Sequence, residues 1–101
     1  MRFRRQLYLG ESIKNRHRIL FKLKIGAGMT DIYVISLAYG RNQLECMHCA
    51  MFKQRAIRQN VGLIVGLAKG YGQARDLMIE MIEDCLKATG TANVKDFLLK
   101  E

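Results

Sequence analysis

The chain has 101 residues, half of them apolar and none of them proline, with 17 Lys and Arg against nine Asp and Glu. That length supports one small domain over residues 1–101 with a single core, and the apolar content excludes an intrinsically disordered chain. The formal net charge of +8 has two explanations: a basic patch can attract a polyanion, and many small proteins are basic for solubility alone. The charge by itself therefore excludes few functions.

Residues 1–10 form a basic lead-in whose composition is compatible with flexibility. Ser12 is a candidate N-cap for a helix over residues 12–24. The alternation of apolar and polar residues from 18 to 25 fits a strand as well. The helix is favoured because it also accounts for residues 12–17, and the strand remains the alternative.

β-Branched and aromatic residues predict a strand over residues 31–38. After a turn at 39–42, a second strand over residues 43–49 would complete an antiparallel hairpin. Residues 50–60 are polar and basic with scattered apolar positions, which fits either a short helix or an ordered loop. An apolar run predicts a third strand over residues 61–68.

Apolar residues at helical spacing predict an amphipathic helix over residues 71–89, and Asn93 is a candidate cap for a last helix over residues 93–100. The predicted fold class is therefore α+β: a three-stranded, mostly antiparallel sheet with two to three helices packed mainly on one face. So small a sheet leaves an exposed edge, and a homodimer formed by edge pairing or helix packing is one way to cover it.

Three glycines lie where the third strand enters the long helix. The segment from Val65 to Ala74 reads Val-Gly-Leu-Ala-Lys-Gly-Tyr-Gly-Gln-Ala and resembles the glycine motif of short-chain dehydrogenases, which implies a cradle for a nucleotide pyrophosphate. No second βαβ unit with an acidic residue follows, so close strand–helix packing is the simpler interpretation. The residual hypothesis is an anion or nucleotide site at Gly66, Lys69, Gly70, Gly72 and Arg75.

Cys46 and Cys49 enclose His48 in a Cys-x-x-Cys spacing. Zinc needs about four convergent ligands, and on a strand Cys46 and His48 share one face while Cys49 points away. Buried thiols are therefore predicted, with no metal and no cofactor. Because no nucleophile–base or paired-carboxylate arrangement stands out, no catalytic residue is assigned and an enzyme is not expected.

The three cysteines do not form the disulfide framework of a small secreted protein. The basic start has no apolar stretch behind it, and no apolar run reaches membrane-spanning length. We therefore expect a cytoplasmic protein with reduced thiols and no membrane contact.

Charge is distributed unevenly, since residues 1–24 hold eight Lys and Arg against one acid, whereas residues 76–101 hold six acids and three lysines. Two functional hypotheses follow. The preferred one is a non-catalytic interaction protein whose basic N-terminal surface contacts an acidic partner. The other is a module that binds RNA or single-stranded nucleic acid, in which aromatic side chains stack on bases.

Both hypotheses use the same candidate contact residues, which are Arg2, Arg4, Arg5, Lys14, Arg16, Arg18, Lys53, Arg55 and Arg58. The aromatic residues interleaved with basic ones are Tyr8, Tyr33, Tyr39 and Phe52.

Short segments spread over most of the chain resemble a group of small, basic bacterial proteins of unknown function. The segments are Tyr33-Val34-Ile35, Leu37-Ala38, Asn42-Gln43-Leu44-Glu45, Lys53-Gln54, Gly66-Leu67-Ala68 and Thr89-Gly90. This resemblance implies no activity.

Overall fold

A computed structural model describes residues 1–29, 31–38 and 42–99 of the chain. The fold is α+β, as predicted. In chain order its elements are β1 (Phe3–Leu9), α1 (Arg16–Ile25), β2 (Ile32–Leu37), β3 (Leu44–His48), a 3₁₀ helix (Cys49–Lys53), α2 (Arg55–Asn60), β4 (Ile64–Lys69), α3 (Tyr71–Thr89) and α4 (Val94–Leu99).

The sheet has four described strands in the order β1-β4-β2-β3. The hairpin of β2 and β3 is antiparallel, and so is the pairing of β2 with β4, but β1 runs parallel to β4. The prediction of three strands is therefore wrong in number, because the lead-in forms an edge strand. A shift in register between Phe3 and Tyr8 breaks the alternation by which a strand is recognised in a sequence.

Helices cover both faces of the sheet, which corrects the prediction that they pack mainly on one. Ile35 and Val65 belong to a core cluster with Met81 of α3 and Leu98 of α4. Residues on the opposite face of β2 and β4 form a second cluster with Leu23 of α1 and with Cys49 and Phe52 of the 3₁₀ helix. We call these two sides the α3 face and the α1 face.

Helix α1 begins four residues later than predicted, and the strand alternative for this segment is wrong. Asn15 is the N-cap, with its side-chain Oδ1 accepting from the backbone N–H of Arg18 at 3.1 Å. Ser12 instead accepts a hydrogen bond from the Gln73 side chain at 3.3 Å. Gly26 ends the helix in the left-handed region, at φ +70°, where glycine carries no Cβ penalty.

For the segment 50–60 the sequence left a short helix and an ordered loop as alternatives. The structure shows two consecutive helices there, the 3₁₀ helix and α2. The His48 Nδ1 accepts from the backbone N–H of Ala50 at 3.0 Å and caps the 3₁₀ helix, and α2 follows directly.

Residues 39–41 of the predicted turn and residue 100 of the predicted last helix lie outside the described residues. Within the described ranges, no helix combines the length and hydrophobicity needed to span a lipid bilayer.

Candidate functional site

The α1 face carries a layer of helices that contains basic residues and no acidic ones. We call α1, the 3₁₀ helix and α2 the basic layer; it holds Arg16, Arg18, Lys22, Lys24, Lys53, Arg55 and Arg58, and neither Asp nor Glu. Across the sheet, α3 and α4 hold five acids against three bases. The sheet thus separates a layer of charge +7 (seven minus none) from one of charge −2 (three minus five).

Helix α1 presents a basic and apolar surface to solvent. Phe21, Lys22 and Ile25 lie three, four and seven residues after Arg18, so the four share one side of the helix. Phe21 is 60% exposed and Ile25 is 58% exposed, while Leu23 is the buried residue of α1. An exposed aromatic ring among cations can stack on a nucleobase as well as contact an apolar partner.

A cleft of about 320 Å³ opens where α1 and α2 of the basic layer meet the first residue of the chain, and it is lined by Met1, Lys24, Arg55, Arg58 and Gln59. Two of its cations are held in place. The guanidinium of Arg58 donates to the carbonyl oxygens of Phe52, at 2.6 Å, and Lys53, at 3.1 Å, and Lys24 Nζ lies 5.2 Å from the ring centroid of Phe3. None of these lining residues is acidic, so the cleft favours an anion.

The structure brings together five of the nine predicted contact residues in the basic layer, namely Arg16, Arg18, Lys53, Arg55 and Arg58. It adds Lys22, Lys24 and Phe21, which were not among the candidates. A helical projection of residues 16–25 is the signal that could have found Phe21 and Lys22, because it groups these side chains with Arg18. Lys24 lies on another side of the helix, and only the tertiary structure places it beside Arg55 and Arg58. The uncertainty between helix and strand concealed that grouping.

Arg4 has a different environment from the other candidates. It is 9% exposed, its Nε donates to the carbonyl oxygen of Leu98 at 3.0 Å, and its guanidinium lies 5.9 Å from the ring centroid of Tyr8. Arg4 therefore joins β1 to α4 on the α3 face. Arg2 and Arg5 are exposed near the β1 edge, and Lys14 is exposed before α1.

None of the described aromatic residues that the sequence suggested for stacking presents an exposed ring in the basic layer. Phe52 belongs to the 3₁₀ helix, but its side chain is buried in the α1-face cluster. Tyr33 contacts the rings of His48 and Tyr71 edge-on, and the Tyr8 hydroxyl donates to the Asp84 carboxylate at 2.8 Å. Tyr39 lies outside the described residues.

Two backbone donors of the glycine turn between β4 and α3 are engaged within the chain. The N–H of Lys69 donates to Gln73 Oε1 at 2.8 Å, and the N–H of Gly70 donates to the Asp31 carbonyl oxygen at 2.9 Å. The Asp31 carboxylate also lies 3.5 Å from the position of a Cβ on Gly70. A carboxylate beside the turn opposes an anion there, even though Lys69 and Arg75 are exposed.

Gly66 lies inside the sheet and not in the turn. Ile35 pairs with Gly66 and Ser36 with Ile64, so Val65 is an extra residue in a β-bulge. A Cβ on Gly66 would lie 2.6 Å from the Met81 Cε of α3. This glycine permits a close approach of helix to strand, as the simpler interpretation of the motif requires.

The cysteines of the Cys-x-x-Cys motif belong to different cores. Cys46 is half-buried against the α3-face cluster, and burial raises the pKa of its thiol. Cys49 is buried on the α1 face, and its Sγ donates to the carbonyl oxygen of Met29 at 3.4 Å. Among the described residues, no group of three or more His, Cys, Asp and Glu side chains is placed to hold a metal ion.

A second cleft, of about 330 Å³, lies between α2 and the sheet. Ser36 is buried there and pairs in register with Glu45, and Asn60 of α2 also lines the cleft. No histidine is among its lining residues, so the serine lacks the usual base of a nucleophilic site.

No protein-family model, curated protein or solved structure matches this chain. Its function is therefore inferred from the placement of charge, shape and exposed side chains.

Proposed function

We propose that this protein is a non-catalytic module whose basic layer binds nucleic acid, either RNA or single-stranded DNA, through the phosphate backbone. The observation that carries the proposal is the separation of charge by the sheet. Seven Lys and Arg lie on three consecutive elements of one face with no acid among them.

The composition of this layer favours nucleic acid over an acidic protein as the partner. Protein–protein interfaces are depleted of charged residues at their centre, and lysine is depleted throughout. Interfaces with nucleic acid are much more positively charged. Phe21, exposed beside Arg18 and Lys22, adds a ring on which a base can stack, as in proteins that bind single strands.

Binding would proceed by release of the counterions condensed on the nucleic acid as phosphates are neutralised. The cleft at Lys24, Arg55 and Arg58 receives one phosphate, since two of these cations are already positioned by contacts within the chain. Contacts to phosphate and ring faces carry little sequence information, so the proposed recognition tolerates any sequence.

We place this activity in the cytoplasm. Cys46, Cys49 and Cys85 are free thiols, and such thiols persist in a reducing compartment.

The test is fluorescence anisotropy with a labelled oligouridine and its DNA counterpart, titrated at several salt concentrations. We expect affinity to fall steeply with salt. The slope of log K against log salt should approach about −3 to −5 for roughly five to seven phosphate contacts on a single strand. Absence of binding at low salt would refute the proposal.

Matched variants locate the surface. Lys24→Ala with Arg55→Ala should weaken binding and reduce the salt slope by roughly one to two, whereas Lys87→Ala with Lys95→Ala removes the same charge from the opposite face and should change neither. An equal loss in both double variants would mean that net charge alone is responsible. Equally tight binding of polyglutamate would favour the acidic-protein alternative.

A further inference from the structure

Ser36 carries a buried hydroxyl at the cleft between α2 and the sheet. The residue is 1% exposed, and no residue in the described part of the chain forms a hydrogen bond with its Oγ. Every fully enclosed side-chain oxygen or nitrogen among the described residues has a partner, so the Oγ of Ser36 opens into the cleft instead. A buried hydroxyl without a protein partner needs one from solvent or from a ligand.

The other polar side chains of this cleft also offer hydrogen-bond acceptors. Glu45 pairs in register with Ser36 across the β2–β3 hairpin, so the two Cβ atoms lie about 5 Å apart on one face of the sheet. The Asn60 Nδ2 donates to the Ala56 carbonyl oxygen at 2.8 Å, which leaves the Oδ1 as the free acceptor of that amide. Three side chains thus supply acceptors, and none of the lining residues is Lys, Arg or His.

The Glu45 carboxylate is not paired with a cation. Within the described ranges, no Lys, Arg or His side chain forms a salt bridge with it. A lone carboxylate beside two neutral acceptors favours a cation that donates hydrogen bonds and disfavours an anion such as phosphate. This cleft is therefore opposite in character to the one at Lys24, Arg55 and Arg58, with which it shares no lining residue.

Apolar side chains complete the walls of the cleft. They belong to Ala38, Met47, Ile57 and Val61. The volume of about 330 Å³ is at the lower end of the range of roughly 300–1,000 Å³ that is typical of small-molecule sites. A primary ammonium on a short alkyl chain matches both parts, because its three N–H groups equal the three acceptor side chains in number and its methylene groups suit the apolar walls.

We propose that this cleft binds a small primary alkylamine, with the ammonium group held between the Ser36 Oγ, the Glu45 carboxylate and the Asn60 Oδ1. The alkyl chain lies against Met47 and Ile57. This binding needs no nucleic acid, so its success or failure is separate from that of the proposed function.

Titration of the isotope-labelled full-length chain with n-butylamine at neutral pH, followed in proton–nitrogen correlation spectra, tests the proposal and locates the site. We expect saturable shifts at the amides of Ser36, Glu45 and Gly62, with a dissociation constant on the order of 1 mM for so small a ligand. The alcohol n-butanol lacks the charge, and butyltrimethylammonium keeps the charge but has no N–H donor. Each should bind at least about tenfold more weakly. Equal binding of all three ligands, or no saturable shift with n-butylamine, overturns the proposal.

Matched variants assign the polar contacts. Glu45→Gln should weaken n-butylamine binding by about tenfold or more, because it removes the charge and keeps the shape. Glu83→Gln makes the same change at an exposed position of α3 and should leave the affinity unchanged. Unaltered affinity in Glu45→Gln, or an equal loss in both variants, rules out the assigned contact.

Ser36→Ala separates a ligand contact from a structural role. The variant should bind n-butylamine about threefold to tenfold more weakly, while its urea midpoint stays the same or rises, because the hydroxyl has no partner within the described chain to lose. A lower midpoint together with unchanged affinity would mean that the hydroxyl serves the fold and would remove Ser36 from the site.

Discussion

The hydroxyl of Tyr8 donates a hydrogen bond of 2.8 Å to the carboxylate of Asp84 and joins edge strand β1 to helix α3. Burial, the hydrogen bond to Asp84 and the negative charges of Asp84 and Glu80 raise the pKa of Tyr8 from 10.0 to about 12, against an opposing contribution from Arg4. The neutral phenol is therefore the form that the folded chain prefers.

This contact predicts a specific loss of stability at high pH. A pKa raised in the folded state means that the stabilisation is complete below the ordinary pKa of 10.0 and is lost as pH rises through about 12. Tyr8→Phe should lower the free energy of unfolding by about 1 kcal/mol at neutral pH. The free energy of unfolding of this variant should also fall less between about pH 10 and 12 than that of the wild type.

Urea titrations at several pH values measure both effects. Tyr71→Phe is the matched control, because the Tyr71 side chain is exposed and the variant should follow the wild-type profile. An equal pH dependence in wild type and Tyr8→Phe would show that Tyr8 does not contribute.

Arg4 is expected to stabilise the fold and to contribute little to nucleic-acid binding. Its Nε satisfies the carbonyl oxygen of Leu98 from a buried position. Arg4→Ala should cost about 2 kcal/mol in unfolding free energy, since a buried carbonyl loses a charged donor. Arg2→Ala, at an exposed position of the same segment, should cost less than about 0.5 kcal/mol.

The same two variants can be compared by anisotropy with the labelled oligonucleotide. Under conditions in which the Arg4→Ala protein is folded, it should bind the oligonucleotide with nearly wild-type affinity. A large loss of affinity in a folded Arg4→Ala protein would place this residue in the interface after all.

Two glycine-to-alanine substitutions should have opposite signs. At Gly66 a Cβ would meet Met81 Cε at 2.6 Å, and the overpacking should cost about 1–2 kcal/mol, moderated because the Met81 terminus can move. At Gly72, in the first turn of α3, no atom lies within 4 Å of the new Cβ. Gly72→Ala should stabilise the chain by about 0.5 kcal/mol through the unfolded state.

Thermal and urea unfolding of both alanine variants measure this difference. Destabilisation of similar size at both positions would contradict the close approach of α3 to β4 that distinguishes Gly66.

Thiol labelling should distinguish the three cysteines. Cys46 is the half-buried one, whereas Cys49 and Cys85 are buried. Iodoacetamide should label Cys46 alone in the native protein, and slowly, because the thiolate is the reactive form and burial raises the pKa of this thiol. Peptide mass spectrometry before and after denaturation would identify the sites, and rapid native labelling of Cys49 would contradict the buried position.

Local patterns were sufficient for the central strands and the long helix. The β-branched run around Val34 and Ile35 predicted β2, because a strand buried on both faces leaves a short apolar run in the sequence. The helical spacing of Leu77, Met81 and Cys85 predicted α3, because a helix buried on one side repeats its apolar residues every three or four positions. Strand β1 was missed, since its bulge interrupts any such pattern and its partner β4 lies about 60 residues further along the chain.

The sequence predicted the charge of the candidate site but not the arrangement of its residues. The sequence by itself determined that the N-terminal half is basic and that α3 and α4 are acidic, since these are counts along the chain. Only the tertiary structure decided that α1, the 3₁₀ helix and α2 share one face while Arg4 turns to the other. Charges act together only when they lie close in space, and packing on the two sides of the sheet decides which of them do.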